Sequence, residues 1–150
     1  MVNKAVILMA DDSEEDCILA SRAAAECWPH ATFTTVGSGE DALDYLHRRG
    51  SFADPASSPV PSIILLDLKM PGKSGWDVLA EVKSTPRLRS IPVLALTWVN
   101  DDASIGRGYD AGVNAYITKP LDHALLCNAL QAIGQFWLTT VQLPFEDRHH

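Results

Sequence analysis

Apolar residues fall into short continuous runs along the chain, each ending on a polar residue and separated from the next by stretches of helical period. The first run, Lys4 to Ala10, is nearly uninterrupted, as a strand covered on both faces requires. Ser13 to Cys27 predicts a helix with Ile18, Leu19, Ala23 and Ala24 on one side and acids in its first turn, where the helix dipole favours them. Pro29 stops it. Thr32 to Val36 is β-branched and predicts a second strand; Ser38 with Asp41 three residues on predicts a capping box opening a helix over Glu40 to Arg49, ended by Gly50. Residues 50–61 hold three prolines and predict a surface loop. Ile63 to Asp67 and Ile91 to Thr97 repeat the pattern of the first run, with a helix over Trp76 to Lys83 between them. Asp102 to Asp110 is helical in pattern, but Gly106 and Gly108 each cost about 1 kcal/mol against alanine, so a short or mobile segment is expected. Val113 to Thr118 is the fifth strand, and Leu121 to Leu138 predicts a long final helix with Leu126, Leu130, Ile133 and Trp137 inward.

Strands alternating with helices imply an α/β doubly wound parallel sheet with helices on both faces, since parallel neighbours need a crossover. Ligands of such sheets gather at the carboxyl ends of the strands. The 150 residues suit one domain, with a core over 4–138, a tail over 139–150 and no output domain. The longest apolar stretches, Ile63 to Leu66 and Val93 to Leu96, fall far short of the roughly 18 residues of a membrane span. The first nine residues lack a signal-peptide cleavage site, so a cytoplasmic protein is expected. Twelve basic against 19 acidic residues give a net charge of −7, which argues against nucleic-acid or anionic-lipid binding. Cys17, Cys27 and Cys127 match no metal spacing and read as buried free thiols in a reducing compartment. Neither His30, His47 and His123 nor the terminal His149-His150 is paired for metal binding or nucleophile activation.

Asp11 and Asp12 follow the first strand, Asp67 the third and Thr97 the fourth, while the fifth ends in Lys119-Pro120. Taken singly each has an ordinary reading: a solvated charge run with Glu14, Glu15 and Asp16, a turn cap, a helix-start residue, a surface cation. Strands running the same way bring all of them to one edge. Clustered carboxylates repel unless a cation is shared, and hard oxygen donors favour Mg²⁺. A carboxylate beside that ion can act as a nucleophile toward phosphorus, with Thr97 and Lys119 contacting the phosphoryl oxygens.

With Asp11-Asp12, the run Leu66-Asp67-Leu68-Lys69-Met70-Pro71-Gly72-Lys73-Ser74-Gly75, Ala95-Leu96-Thr97 and Ala111 to Pro120, the sequence resembles the receiver domains of two-component response regulators over residues 4 to about 138. The resemblance implies a (βα)5 flavodoxin-like three-layer sandwich with strand order 2-1-3-4-5. It implies that Asp67 accepts a phosphoryl group from a histidine kinase, the chain itself being no enzyme beyond that chemistry. Asp12, Asp67 and the backbone carbonyl of Lys69 would bind Mg²⁺, with Asp11 reaching it through water. A cis peptide is expected at Lys119-Pro120, and a switch in which Thr97 moves toward the phosphate as Tyr116 turns inward. Packing on a neighbour is the plain alternative for Tyr116.

Trp98 stands where the family generally has a small residue. Its indole either restricts access to the phosphate, slowing phosphoryl exchange, or points outward to a partner. Phe136, Trp137 and Leu138 extend the last helix with more apolar residues than one inward stripe uses. With the proline-bearing loop, this tail resembles the single-domain regulators that accompany bacterial phytochrome kinases. That implies a phytochrome histidine kinase as donor, an unnamed downstream protein, and a homodimer through the fourth strand, last helix and tail; alternatively Phe136 and Trp137 only close the core. A phosphorelay shuttle serving another kinase is the runner-up. A Mg²⁺-dependent aspartyl phosphatase would want a second aspartate where Lys69 stands, and a flavin protein a phosphate-cradling loop where Asp11 to Glu15 stand.

Overall fold

The computed structural model describes residues 5–120 and 122–144. Lys4, Leu121 and residues 145–150, with His149-His150, lie outside the described residues. Five parallel strands, β1 (Val6–Ala10), β2 (Thr32–Val36), β3 (Ile63–Leu66), β4 (Val93–Thr97) and β5 (Ala115–Thr118), form one sheet in the order β2-β1-β3-β4-β5. The helices are α1 (Glu14–Cys27), α2 (Gly39–His47), α3 (Gly75–Ser84), α4 (Asp102–Ala111) and α5 (His123–Ile133). This is the three-layer, doubly wound fold expected of the pattern.

The two faces of the sheet bury separate apolar sets. Leu8, Ile64, Leu66, Val93 and Ala95 pack with α2 and α3 residues such as Leu43, Leu46, Val78 and Leu79. Ile7, Met9, Ile63, Leu65, Leu94 and Leu96 pack with Ala20, Ala23, Leu126 and Leu130 of α1 and α5. Successive strand residues thus serve opposite layers, which is why the central runs are apolar without alternation.

Several boundaries differ from expectation. In α1 the inward face is Asp16, Ala20, Ala23 and Ala24, whereas Ile18 is exposed. The face follows the spacing from the small Ala20, which lets the helix lie close to the sheet. Ser38 caps α2 by accepting from the Asp41 N–H at 3.0 Å, but the reciprocal capping box forms on α3, between Ser74 and Asp77. α2 ends at the left-handed Arg48 rather than at Gly50, which opens a 3₁₀ turn over Gly50–Phe52. The loop beyond is pinned from both ends: the Ser58 hydroxyl donates to the Phe52 and Asp54 carbonyls, and the Tyr45 hydroxyl to the Pro59 carbonyl.

The segment expected to be short or mobile is a regular ten-residue helix, α4, capped by the Asp101 side chain and closed by Gly112. Capping and tertiary packing outweigh the low propensity of its two glycines. The last helix breaks earlier than expected: α5 gives way to a π-helical segment, Gly134–Thr140. Its wider turns bring Trp137 and Leu138 onto the α1–α5 half of the core and leave Phe136 54% exposed. All three cysteines are free but only half-buried: Cys27 and Cys127 sit at the margin of that half, and the Cys17 thiol donates to the Asp11 carbonyl at 3.4 Å.

Candidate functional site at the carboxyl edge of the sheet

Four strand ends build one acidic cleft. The backbone N–H of Asp11 donates to the Val36 carbonyl and that of Asp67 to the Ala10 carbonyl, so the ladder itself fixes both aspartates beside one another. Gly75 is required here: a side chain at that position would run into the Asp67 carbonyl. The N–H of Lys69 donates to Asp67 Oδ1 at 3.1 Å, orienting the carboxylate. Asp11 is 1% and Asp67 4% exposed, whereas Asp12 is exposed at the mouth. Ligand oxygens of Asp11, Asp12 and Asp67 all lie within 4.8 Å of one another.

Lys119 answers this charge from the end of β5, its N–H donating to the Thr97 carbonyl at 2.7 Å. The buried ammonium lies 2.6 Å from Asp11 Oδ2, 2.9 Å from Asp16 Oδ2 and 3.6 Å from Asp67 Oδ2. Burial pulls the Lys119 pKa down, but the bonds to Asp11 and Asp16 and the surrounding negative charge outweigh it and push the group up to about 12. Burial pushes the carboxyls of Asp11 and Asp67 above the ordinary range, against the pull of hydrogen bonds and of Lys119. Three carboxyl groups, of Asp11, Asp16 and Asp67, contact one ammonium and a fourth, of Asp12, stands at the mouth, an imbalance that a hard divalent cation with oxygen ligands would correct. The donor set therefore fits Mg²⁺.

Thr97 is fully buried beside Asp67, and its hydroxyl hydrogen bond helps hold that carboxyl ionised. Tyr116 donates from its hydroxyl to the Val99 carbonyl at 2.6 Å, while its N–H, on the edge strand, donates to the Tyr109 hydroxyl at 3.1 Å. Trp98 is 46% exposed and its ring centre lies 5.5 Å from the Lys119 ammonium, so the indole flanks the cleft and also faces solvent. The Lys119–Pro120 peptide is trans, with no cis bond among the described residues, correcting the expected cis form. Trans is the lower-energy isomer of an X–Pro bond by about 0.5–1 kcal/mol.

The strands thus bring together Asp11, Asp12, Asp67, Thr97 and Lys119 as expected, while Tyr116 stands one step away, against Val99. Asp16 was hidden in its run of acids. Its signal was helical spacing: it stands four residues before the buried Ala20, on the inward face of α1.

This cleft, on a parallel sheet of order 2-1-3-4-5, is that of a receiver domain. The response regulator receiver domain family matches residues 7–131, and the chain belongs to it. It is 36% identical over 139 residues to the response regulator Rcp1 of Synechocystis, covering 93% of this chain and 92% of that one. The phosphorylated cyanobacterial phytochrome response regulator RcpA superposes with a TM-score of 0.89 at 36% identity, covering 95% of this chain and 100% of that one. The Mn²⁺-bound form of Rcp1 superposes with a TM-score of 0.86 at 35% identity, covering 94% and 99%.

Proposed function

We propose that the chain is the receiving partner of a phytochrome-type histidine kinase, taking a phosphoryl group on Asp67. The observation that carries this is the buried Asp67 carboxylate, held with Asp11 and Asp12 within 4.8 Å and with the Lys119 ammonium 3.6 Å away. An Asp67 oxygen attacks phosphorus, the P–N bond of the donor phosphohistidine breaks, and the leaving imidazole keeps the electron pair and takes up a proton. Lys119 and the Thr97 hydroxyl bind the transferred oxygens, and the surface around α4 and β5 changes as Thr97 and Tyr116 move. Asp12, Asp67 and the Lys69 carbonyl would hold Mg²⁺, with Asp11 acting through water; when bound it would supply positive charge to offset that on the phosphoryl oxygens.

The kinase assignment is supported by the phytochrome regulator among the structural relatives. The exposed Phe136, beside Trp137 and Leu138, supports a homodimer contact over the tail and α5, whereas the fourth strand, expected in that contact, is buried along its whole length between β3 and β5. The half-buried free thiols suit a reducing, cytoplasmic setting. Lys69 in place of a second acid supports a single-turnover switch over a phosphatase. Incubation with acetyl phosphate and Mg²⁺ should give an acid-resistant, base-labile adduct that Asp67→Asn lacks. Label on Asp67→Asn, or continuous phosphate release, would overturn the reading. Of a panel of purified histidine kinases, a phytochrome kinase should donate fastest.

A further inference from the structure

Lys119 has three N–H donors, and Asp11 and Asp16 take the two short contacts. Asp67 is left with the long one, at 3.6 Å. Asp16 comes from neither the strand ends nor the acid pair after β1. It occupies the third position of α1, its N–H donates to the capping Ser13 hydroxyl, and its carboxylate is 11% exposed. The first turn of α1 is therefore a fixed arm that holds the ammonium on the α1 side of the cleft.

We propose that Asp16 is a positioning residue for Lys119, restraining the ammonium from the phosphoryl group and so setting how long Asp67 stays phosphorylated. The inference rests on the reading of Asp67 as the phosphoacceptor. In the unmodified chain the restraint keeps the ammonium off Asp67, leaving that carboxylate open to a divalent cation. When Asp67 carries a phosphoryl group, Lys119 closes on the new oxygens against the pull of its 2.9 Å bond to Asp16. The phosphorylated form therefore works against Asp16, which gives the position two effects of opposite sign.

The test uses Asp16→Asn, which preserves shape and removes the charge, followed by tryptophan fluorescence. Freed from Asp16, the ammonium leans on Asp11 and Asp67 and competes with the cation, so Mg²⁺ should bind several-fold more weakly. At saturating Mg²⁺, beryllofluoride should bind about tenfold more tightly and the acyl phosphate should decay correspondingly more slowly, about the effect of one charge-assisted hydrogen bond. A merely structural role would weaken both ligands together. A general field effect is separated by two controls: Glu15→Gln, an exposed acid on the same turn, should move neither constant, and the Asp16→Asn effect on beryllofluoride should vanish in a Lys119→Met background. In the unaltered chain, the ¹³C resonance of the Asp16 carboxyl should shift on adding beryllofluoride. The inference is overturned if both affinities move in one direction, if the effect survives without Lys119, or if that resonance stays still. Failure of the unaltered chain to take beryllofluoride at all would instead remove the reading of Asp67.

Discussion

A Cβ on Gly108 would stand 2.8 Å from the ring of Tyr116. The glycine that weakens α4 as a helix is thus what lets it lie against Tyr116, whose hydroxyl is tied to the Val99 carbonyl. Gly108→Ala should gain about 1 kcal/mol in helix propensity yet lose about 1–3 kcal/mol to overpacking. The net result expected in urea unfolding is destabilisation, with a changed near-ultraviolet tyrosine signal. In Tyr116→Phe, which lacks the hydroxyl bond, the loss of about 0.5–1.5 kcal/mol should be accompanied by a lower penalty for Gly108→Ala. A stabilised Gly108→Ala with unchanged spectrum would refute the close packing.

Asp67 binds its proton more tightly folded than unfolded, because burial outweighs its hydrogen bonds. Such a group costs stability at pH values above both its pKa values, and this cost disappears as pH falls through the raised folded value toward the ordinary 3.8. Asp67→Asn should therefore raise Tm at neutral pH, and by less near pH 4. Mg²⁺ at about 100 times its Kd should add ~2.7 kcal/mol to the native chain at pH 7, and much less to Asp67→Asn. Thermal scans at two pH values, with and without Mg²⁺, check both statements.

Trp98 flanks the cleft with its ring centre 5.5 Å from the Lys119 ammonium. Its indole is half-exposed at the mouth and restricts the approach of water to Asp67, so Trp98→Ala should speed loss of phosphate. An unchanged dephosphorylation rate would leave Trp98 with a partner-facing role only.

Phe136 and Trp137 meet edge to face at 5.6 Å but have different surroundings, Phe136 being exposed and Trp137 packed on the core. Phe136→Glu should shift sedimentation toward monomer while leaving the monomer's Tm nearly unchanged. Trp137→Ala should cost roughly 2 kcal/mol, less than the 3–5 kcal/mol of a fully buried aromatic. Equal sedimentation of Phe136→Glu and the unaltered chain would dismiss the tail as a dimer contact.

The sequence by itself determined the alternation of strands and helices, because uninterrupted apolar runs suit a sheet covered on both faces and little else of that length. It also determined the acids and the lysine at the strand ends, since parallel strands bring their carboxyl ends to one edge. Tertiary packing decided what local pattern leaves open. Gly108 accommodating Tyr116 turned a poor helix former into a full helix, and the π-helical turns after Ile133 separated Phe136 from Trp137. Asp16 was one acid among several until α1 lay on the sheet with Ala20 facing inward. Its bond to Lys119 joins positions 103 residues apart, a distance over which hydrophobic periodicity specifies faces but not partners.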